Sequence, residues 1–276
     1  MGALDQIAEW PVDTASAAIV DAAGEVVEQH GSVDSEFRLA SLTKVFVGWA
    51  AMIAVEEGGI ALDHPVGQAG CTLEHLLSHA GGYPFEGREP VSAPGERRIY
   101  SNTGIELTAE VIVEATGLAF EDYLADGVLG PLGLRHSELR GSVAHGLWST
   151  VDDVANFLFE LQQPTLLSPA GAATVVQPHY PDLGGIVPGV GRFEECPWGL
   201  GAEIRGAKWP HWTGRHNSQQ TFGHFGGSGT MMWVDPVAGG AVVALTDRPF
   251  DQWSTSPVAA WSRLSDDVVA VLEAAQ

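Results

Sequence analysis

The stretch that decides the fold is Ser41-Leu42-Thr43-Lys44, at the head of a long apolar run. The chain has only two lysines, Lys44 and Lys208, against eleven arginines. A buried lysine can lose its proton at usable pH, whereas an arginine cannot. A lysine three residues after a serine, on the same helical face, is therefore a candidate base for that hydroxyl. The alternative is that Ser41 caps the helix and Lys44 pairs with a carboxylate, and this stretch alone leaves both open.

A helix from Ser41 to Glu57 is predicted by the residues that follow, which are apolar nearly all round. A helix that is apolar on every side is buried, and Gly58-Gly59 ends it. Its first turn would lie at the centre of the protein, where burial and the helix dipole both disfavour an ammonium group. To serve as a base at pH 7, Lys44 needs a pKa about 3 units below its reference value of about 10.4.

Composition excludes several classes of partner. The 276 residues are 45% hydrophobic and carry a net charge of -22, which argues against nucleic acid or an anionic membrane. The apolar run of residues 45–55 is too short for a membrane span. No Lys or Arg precedes Arg38, so a secretory leader is not indicated, and Cys71 and Cys196 form no framework or metal spacing. We expect a cytoplasmic protein without cofactor, and the oligomeric state stays open.

The order of elements is strands, a helical middle, strands and a final helix. Strands are predicted at residues 16–30 (a hairpin), 198–205, 221–225, 229–234 and 241–245, and the last helix at residues 258–274. Strands from both ends can share one antiparallel sheet while the middle forms a second lobe. We predict one domain over residues 1–276, with a sheet lobe at about 1–60 and 195–276 and a helical lobe at about 61–194. The active site would lie in the cleft between them, with residues 181–197 as a loop over it.

Two further stretches carry groups useful for hydrolysis. Tyr100-Ser101-Asn102 offers a phenol that can relay protons and an amide that can hold both an ammonium and a carbonyl. His224-Phe225-Gly226-Gly227-Ser228-Gly229 joins two predicted strands, and its glycines leave backbone N–H groups free to approach an oxyanion. Taken singly, the first stretch is typical of a helix cap and the second of a glycine-rich turn.

Together the three stretches resemble the serine β-lactamases, penicillin-binding proteins and related esterases, whose signature is S-x-x-K, S-D-N and K-T-G. The tyrosine form of the second motif is similar to class C β-lactamases, DD-peptidases and β-lactamase-like esterases. Similarity extends over residues 37–247 and includes Leu73-Glu74-His75-Leu76-Leu77-Ser78-His79, Pro131-Leu132-Gly133-Leu134, Trp148-Ser149-Thr150 and Trp198-Gly199-Leu200-Gly201. The resemblance implies an α+β fold of the β-lactamase/DD-peptidase type, an antiparallel sheet flanked by helices plus a mainly helical lobe.

The resemblance also implies roles for the first two motifs. Ser41 would be the acylated nucleophile and Lys44 its base or base partner. Tyr100 would protonate the leaving group and later help to activate the deacylating water. Asn102 would hold the Lys44 side chain and the amide or acyl group of the substrate.

The third motif would bind the substrate and its oxyanion. The oxyanion would be held by the backbone N–H groups of Ser41 and Gly227, with Gly226 and Ser228 beside them. The departure from the family is His224, which stands where β-lactamases have the lysine that helps bind a carboxylate. A histidine near its reference pKa of about 6.5 is mostly neutral at pH 7, so recognition of anions should be weaker.

This departure favours a carboxylesterase that acts on small esters. A β-lactamase or a D-amino-acid peptidase or amidase is the alternative within the same mechanism. From another class, the chain could be a silent relative that binds an acyl or peptide ligand. The partner in every case is a small-molecule ester or amide, with no nucleic acid or membrane.

His75 and His79 lie four residues apart, a spacing at which two histidines on one helix can bind a metal ion. Leu76 stands where the metalloprotease motif has Glu. Helix capping and turn hydrogen bonds are therefore the better interpretation of these two histidines, and we expect no metal.

Overall fold

An antiparallel six-stranded sheet lies at the centre of the computed structural model, which describes residues 2–275. The strands of the chain are β1 (Ala15–Asp21), β2 (Val26–His30), β3 (Phe37–Arg38), β4 (Glu138–Leu139), β5 (Leu147–Ser149), β6 (Gly185–Val187), β7 (Gly191–Phe193), β8 (Glu203–Ile204), β9 (Phe222–Gly226), β10 (Thr230–Asp235) and β11 (Gly240–Thr246). The central sheet has the order β2-β1-β11-β10-β9-β8. The β1–β11 pair, in register from Ala15↔Thr246 to Asp21↔Gly240, joins the two ends of the chain as predicted.

Helices cover both faces of this sheet. They are α1 (Thr43–Glu56), α2 (Leu73–Leu77), α3 (Asn102–Thr116), α4 (Phe120–Leu124), α5 (Val151–Gln162), α6 (Pro169–Val176) and α7 (Pro257–Ala274). Alternate residues of a strand point to opposite faces, so β1 sends Ala18 and Val20 into one core cluster, which includes α1 and α5. Ala17 and Ile19 point into the other, which includes Trp261 of α7. The predicted α+β architecture is confirmed.

Helix α1 is the buried helix that the apolar run predicts. Every residue from 43 to 54 is buried, and Phe46 stacks on Phe157 of α5 with ring centroids 3.7 Å apart. Gly58 follows its end with φ +79°, a conformation that glycine adopts without strain. The regular helix begins at Thr43 rather than Ser41, because residues 40–42 form a short 3₁₀ turn.

Two predicted segments differ in the structure. The strand expected at residues 198–205 is reduced to β8, because residues 198–201 turn against α1 instead. At Gly201 φ is +86°, and a Cβ there would collide with the carbonyl oxygen of Lys44. The loop expected at residues 181–197 contains the hairpin β6–β7, which lines a neighbouring cavity with Phe85.

Helix α5 packs on strands β1, β10 and β11, whereas α1 packs on α3, α4 and α6. These contacts tie the middle of the chain to the sheet, and the lobe boundaries stay a prediction. Within residues 2–275, no helix has the length and apolar character needed to cross a membrane.

Candidate active site

A cleft of about 710 Å³ opens between the third motif and the first two motifs. Its lining includes Ser41, Phe85, Asn102, Trp148, Gly227 and Phe250. Strand β9 passes close behind the turn that carries the serine. A Cβ on Gly226 would lie 2.5 Å from the carbonyl oxygen of Leu39, so only glycine allows this approach. Ala40, just before the serine, has φ +49°, a strained backbone of the kind found at functional sites.

Lys44 lies directly below Ser41 and is fully buried. Its Nζ is 3.1 Å from Ser41 Oγ, 2.7 Å from Asn102 Oδ1 and 2.9 Å from the carbonyl oxygen of Ala144. The last two atoms can only accept hydrogen bonds. A neutral amine gives its two N–H groups to them, and its lone pair then faces the Ser41 hydroxyl proton. Asn102 and Ala144 thus leave the lone pair of a neutral Lys44 amine directed at Ser41 Oγ.

Burial lowers the pKa of Lys44 from its ordinary value to about 7, and the charges of Glu86 and Glu106 offset part of this effect. A desolvated ammonium without a bonded carboxylate loses stability relative to the neutral amine. The Lys44 pKa is therefore in the range that a base at neutral pH needs, and burial is the main cause. Near pH 7 a large share of the Lys44 amines is unprotonated.

Tyr100 completes the group around the serine. Its ring lies 4.8 Å from Lys44 Nζ. Burial raises the pKa of Tyr100 well above its ordinary value, and Ser41 is close enough to the phenol to lower this pKa slightly. The phenol therefore keeps its proton at neutral pH and is available as a proton donor.

The structure corrects the placement of His224. The sequence placed this residue among the substrate contacts, but its side chain is buried behind Tyr100. Nδ1 donates to the Phe225 carbonyl oxygen at 2.6 Å, which leaves Nε2 to accept from Tyr100 Oη at 3.4 Å. Burial, assisted by the charge of Lys44, lowers the pKa of His224 to about 3. The imidazole is neutral at pH 7, as expected. Burial, rather than the reference pKa of histidine, is the main reason.

The remaining predicted residues lie around the cleft. Gly227 and Ser228 line it opposite Asn102, and the Ser228 hydroxyl donates to the Arg38 carbonyl oxygen at 2.6 Å. Gly226 is buried in β9 and provides close packing rather than a cleft surface. Asn102 Nδ2, expected to face substrate, donates instead to Glu86 Oε1 at 2.7 Å.

Sequence reasoning missed His79 as part of the site. Its carbonyl oxygen accepts from Ile99 N at 2.9 Å, and its Nδ1 accepts from Ser101 N at 3.2 Å. These two hydrogen bonds hold the residues before and after Tyr100, whose ring lies 4.7 Å from the imidazole. The left-handed backbone of His79, with φ +58°, is the cost of this double contact. In the sequence, His79 stood out only as the end of the stretch 73–79 that is similar to the family and as a possible metal ligand, neither of which predicts a contact with Tyr100.

The two histidines considered for metal have other partners. His75 Nδ1 is 2.7 Å from Thr72 Oγ1, a turn hydrogen bond, and its ring stacks on Tyr180. Among residues 2–275 no group of three or more His, Cys, Asp or Glu is arranged to hold a metal ion.

Comparison with known proteins agrees with this geometry. The Beta-lactamase family profile matches residues 11–256. A crystal structure described as a beta-lactamase (Mb2281c) from Mycobacterium bovis is 42% identical, with a TM-score of 0.95 over 98% of this chain and 99% of that chain.

Curated relatives match over shorter lengths. A beta-lactamase of Escherichia coli (strain K12) is 30% identical over 37% of this chain and 34% of its own length. A putative D-alanyl-D-alanine carboxypeptidase of Escherichia coli O157:H7 is 25% identical over 68% of this chain and 58% of its own. The chain thus spans from about a third to three fifths of these relatives. By its profile match and its fold, the chain belongs to the Beta-lactamase family.

Proposed function

We propose that the chain is a serine hydrolase that forms an acyl-enzyme on Ser41 and prefers small carboxylic esters. One observation carries this proposal. The buried Lys44 amine, with a pKa of about 7, lies 3.1 Å from Ser41 Oγ at the floor of an open cleft. A serine hydroxyl is a weak nucleophile until such a base removes its proton.

In acylation, Ser41 Oγ attacks the ester carbonyl carbon while its proton moves to Lys44 Nζ. The oxyanion is held by the backbone N–H groups of Ser41 and Gly227, and a single donor of this kind contributes about 10²–10³ in rate. The carbon–oxygen bond to the leaving group then breaks. Tyr100 protonates the departing oxygen and regains a proton from the Lys44 ammonium, so the proton count is restored.

In deacylation, a water molecule attacks the acyl carbon and the bond to Ser41 Oγ breaks. The water proton passes through Tyr100 and Lys44 to Oγ, which restores the free enzyme. His224 acts on this relay through Tyr100, because its Nε2 accepts from the phenol. It is a positioning residue that keeps the Tyr100 oxygen turned toward the serine.

The neutral His224 supports esters over anionic substrates. The β-lactamase lysine supplies a positive charge at this position, whereas here the imidazole is buried and its pKa is about 3. A substrate carboxylate gains no charge partner from it. The substitution His224→Lys should raise turnover of carboxylate-bearing substrates such as β-lactams. An unchanged rate would contradict this reason for the ester preference.

The second candidate is a β-lactamase or D-amino-acid peptidase that works through the same acyl-enzyme. The similarity to Mb2281c, which is described as a beta-lactamase, favours this second candidate. A silent ligand-binding protein is a weaker candidate. A protein that only binds a ligand has no need of a serine, a lysine with a lowered pKa and a tyrosine close together.

The test is to incubate the protein with p-nitrophenyl esters of short acids and, separately, with a chromogenic cephalosporin. We expect ester turnover above cephalosporin turnover, and an acyl adduct on the Ser41 peptide by mass spectrometry. Ser41→Ala serves as the control and should show neither. Faster cephalosporin turnover would favour the second candidate. No turnover and no adduct with either class would exclude a hydrolase.

A further inference from the structure

The position of Glu86 beside the nucleophile suggests what kind of acyl group the cleft accepts. Three hydrogen bonds fix its segment to the second motif. Ser101 Oγ donates to Pro84 O at 2.7 Å, and Asn102 N donates to Phe85 O at 2.9 Å. Asn102 Nδ2 then donates to Glu86 Oε1 at 2.7 Å. The carboxylate is held at the cleft wall by its backbone as well as by its side chain.

Glu86 also accepts the hydrogen bond from Asn102 Nδ2 that a substrate carbonyl would otherwise accept. Its charge reaches the catalytic group, because it raises the pKa of Lys44. Within residues 2–275, the hydrogen bonds of the Glu86 carboxylate involve Oε1 alone. Its other oxygen and its charge remain for a ligand in the cleft.

The charges that line the cleft are mostly negative. Its carboxylates are Glu36, Glu86, Asp247 and Asp251, and among the described residues its one lining cation with a permanent charge is Arg38. Glu36 is already paired with Arg140 at 3.0 Å, so the excess of negative charge comes from the other three carboxylates. Burial lowers the pKa of the lining His145. Clefts lined by one sign of charge concentrate ligands of the opposite sign.

The single positive charge of Arg38 does not reverse this balance, and its guanidinium is turned to a neighbour. Its Nη2 is 2.7 Å from His145 Nδ1 and its Nε donates to the His145 carbonyl oxygen at 3.3 Å. The aromatic rings of Phe85 and Phe250 also line the cleft, whereas the Trp148 ring already has the Arg140 guanidinium 5.4 Å from its centroid. Aromatic faces attract cations, so the two phenylalanine rings act in the same direction as the carboxylates.

We propose that the preferred acyl group carries a cationic centre, a protonated or quaternary amine, that pairs with Glu86. This inference rests on the proposed ester hydrolysis and names its substrate class. An anionic acyl group would meet the same carboxylate and be rejected. The neutral His224 removes one attraction for anions, and Glu86 adds a repulsion.

Three p-nitrophenyl esters of similar length test this directly. The first is the ester of γ-trimethylammoniobutyrate, which is a cation. The second is its neutral isostere, in which carbon replaces the nitrogen. The third is the monoester of adipate, which is an anion. We expect kcat/KM for the cation to exceed that of the isostere by about three- to fivefold, the upper value of one exposed charge pair. The anion should be slowest. In Glu86→Gln the ratio of cation to isostere should fall to about twofold or less.

The ratio separates this proposal from the hydrolase proposal. Glu86→Gln also alters Lys44, but that effect is common to all three esters and cancels in the ratio. Glu89→Gln removes an exposed charge of the same loop that does not line the cleft, and should keep the wild-type ratio. Turnover of the isostere with no preference for the cation, a preference for the anion, or a ratio unchanged in Glu86→Gln would overturn the role of Glu86 while leaving the hydrolase intact. Failure of all three esters to react or acylate Ser41 would overturn both.

Discussion

The only two lysines of the chain are both buried, yet their surroundings are opposite. Lys208 Nζ lies 2.8 Å from Glu203 Oε1, in an ion pair of which both side chains are 1% exposed. His211 Nε2 is 3.0 Å from the same oxygen, and the Trp212 indole N–H donates to the other. Lys44 has no bonded carboxylate, and its partners are a hydroxyl, an amide oxygen and a backbone carbonyl oxygen.

This difference shows how one residue type serves two purposes. Burial opposes ionisation of Glu203, but the charges of Lys208 and His211 outweigh it and hold the Glu203 pKa below its ordinary value. A buried pair of this kind is held together because each charge compensates the other. Without such a charge, Lys44 has a pKa of about 7. Among the described residues no carboxylate is bonded to Lys44, so burial lowers its pKa, whereas Lys208 is paired with Glu203.

The largest effect should separate the two lysines by activity. Lys44→Met removes the base, and we expect kcat/KM for a p-nitrophenyl ester to fall by at least about 10³-fold. Lys208→Met, measured at a temperature where circular dichroism shows it folded, should stay within about tenfold of wild type. Equal losses in the two variants would contradict the assignment of Lys44 as the base.

The free energy of unfolding should distinguish the two lysines in the opposite order, with the larger loss at Lys208. Lys208→Met leaves the buried Glu203 charge without its partner, and we expect a loss of about 3–5 kcal/mol in the free energy of unfolding by urea. The double variant Glu203→Gln with Lys208→Met removes both charges and should recover part of that loss. If the double variant is no more stable than Lys208→Met, charge compensation is not what the pair provides.

Lys44→Met should stabilise the fold at pH 7 by about 1–3 kcal/mol, because the native state no longer buries an amine that water would protonate. The lowered pKa means that the unfolded chain binds more protons between pH 7 and the ordinary lysine pKa of 10.5. The destabilising effect of Lys44 should therefore fade as pH rises across this window. Urea unfolding at pH 7 and pH 9.5 measures it, and a gain that grows with pH would have the wrong sign.

Much of the fold follows from periodicity in the sequence. The apolar run after Ser41 and the two short apolar segments within residues 16–30 depend on local burial, which a sequence displays. The shortening of the 198–205 strand does not, because it comes from the contact of Gly201 with α1. The 3₁₀ helix Ala3–Glu9 was also missed, since its first N–H groups are bonded by the distant Glu28.

The candidate site divides in the same way. Motif spacing brought Ser41, Lys44 and Tyr100 to attention, and the structure places Lys44 Nζ within 3.1 Å of Ser41 Oγ and 4.8 Å from the centre of the Tyr100 ring. The carbonyl oxygen of Ala144 could not be found from sequence, because a backbone acceptor has no residue signature. His79 and Glu86 were missed because their contacts with the second motif depend on the path of the backbone between residues 79 and 102.

The smallest effect should be a shift in pH dependence. If neutral Lys44 is the base, kcat/KM rises with pH through about 7. The negative charge of Glu86 raises the pKa of Lys44, so Glu86→Gln should move this rise to lower pH and retain more relative activity at pH 6. Glu89→Gln is the control and should leave the profile in place. A shift to higher pH in Glu86→Gln would contradict the electrostatic link.

The most direct test of the account is the titration of Lys44 itself. Because the chain has two lysines, protein labelled with ¹³C at lysine Cε should give two side-chain resonances by NMR. The resonance that is absent from Lys44→Met belongs to Lys44. The account predicts that it titrates with a midpoint near pH 7, and a Lys44 resonance that remains that of an ammonium up to pH 9 would contradict it.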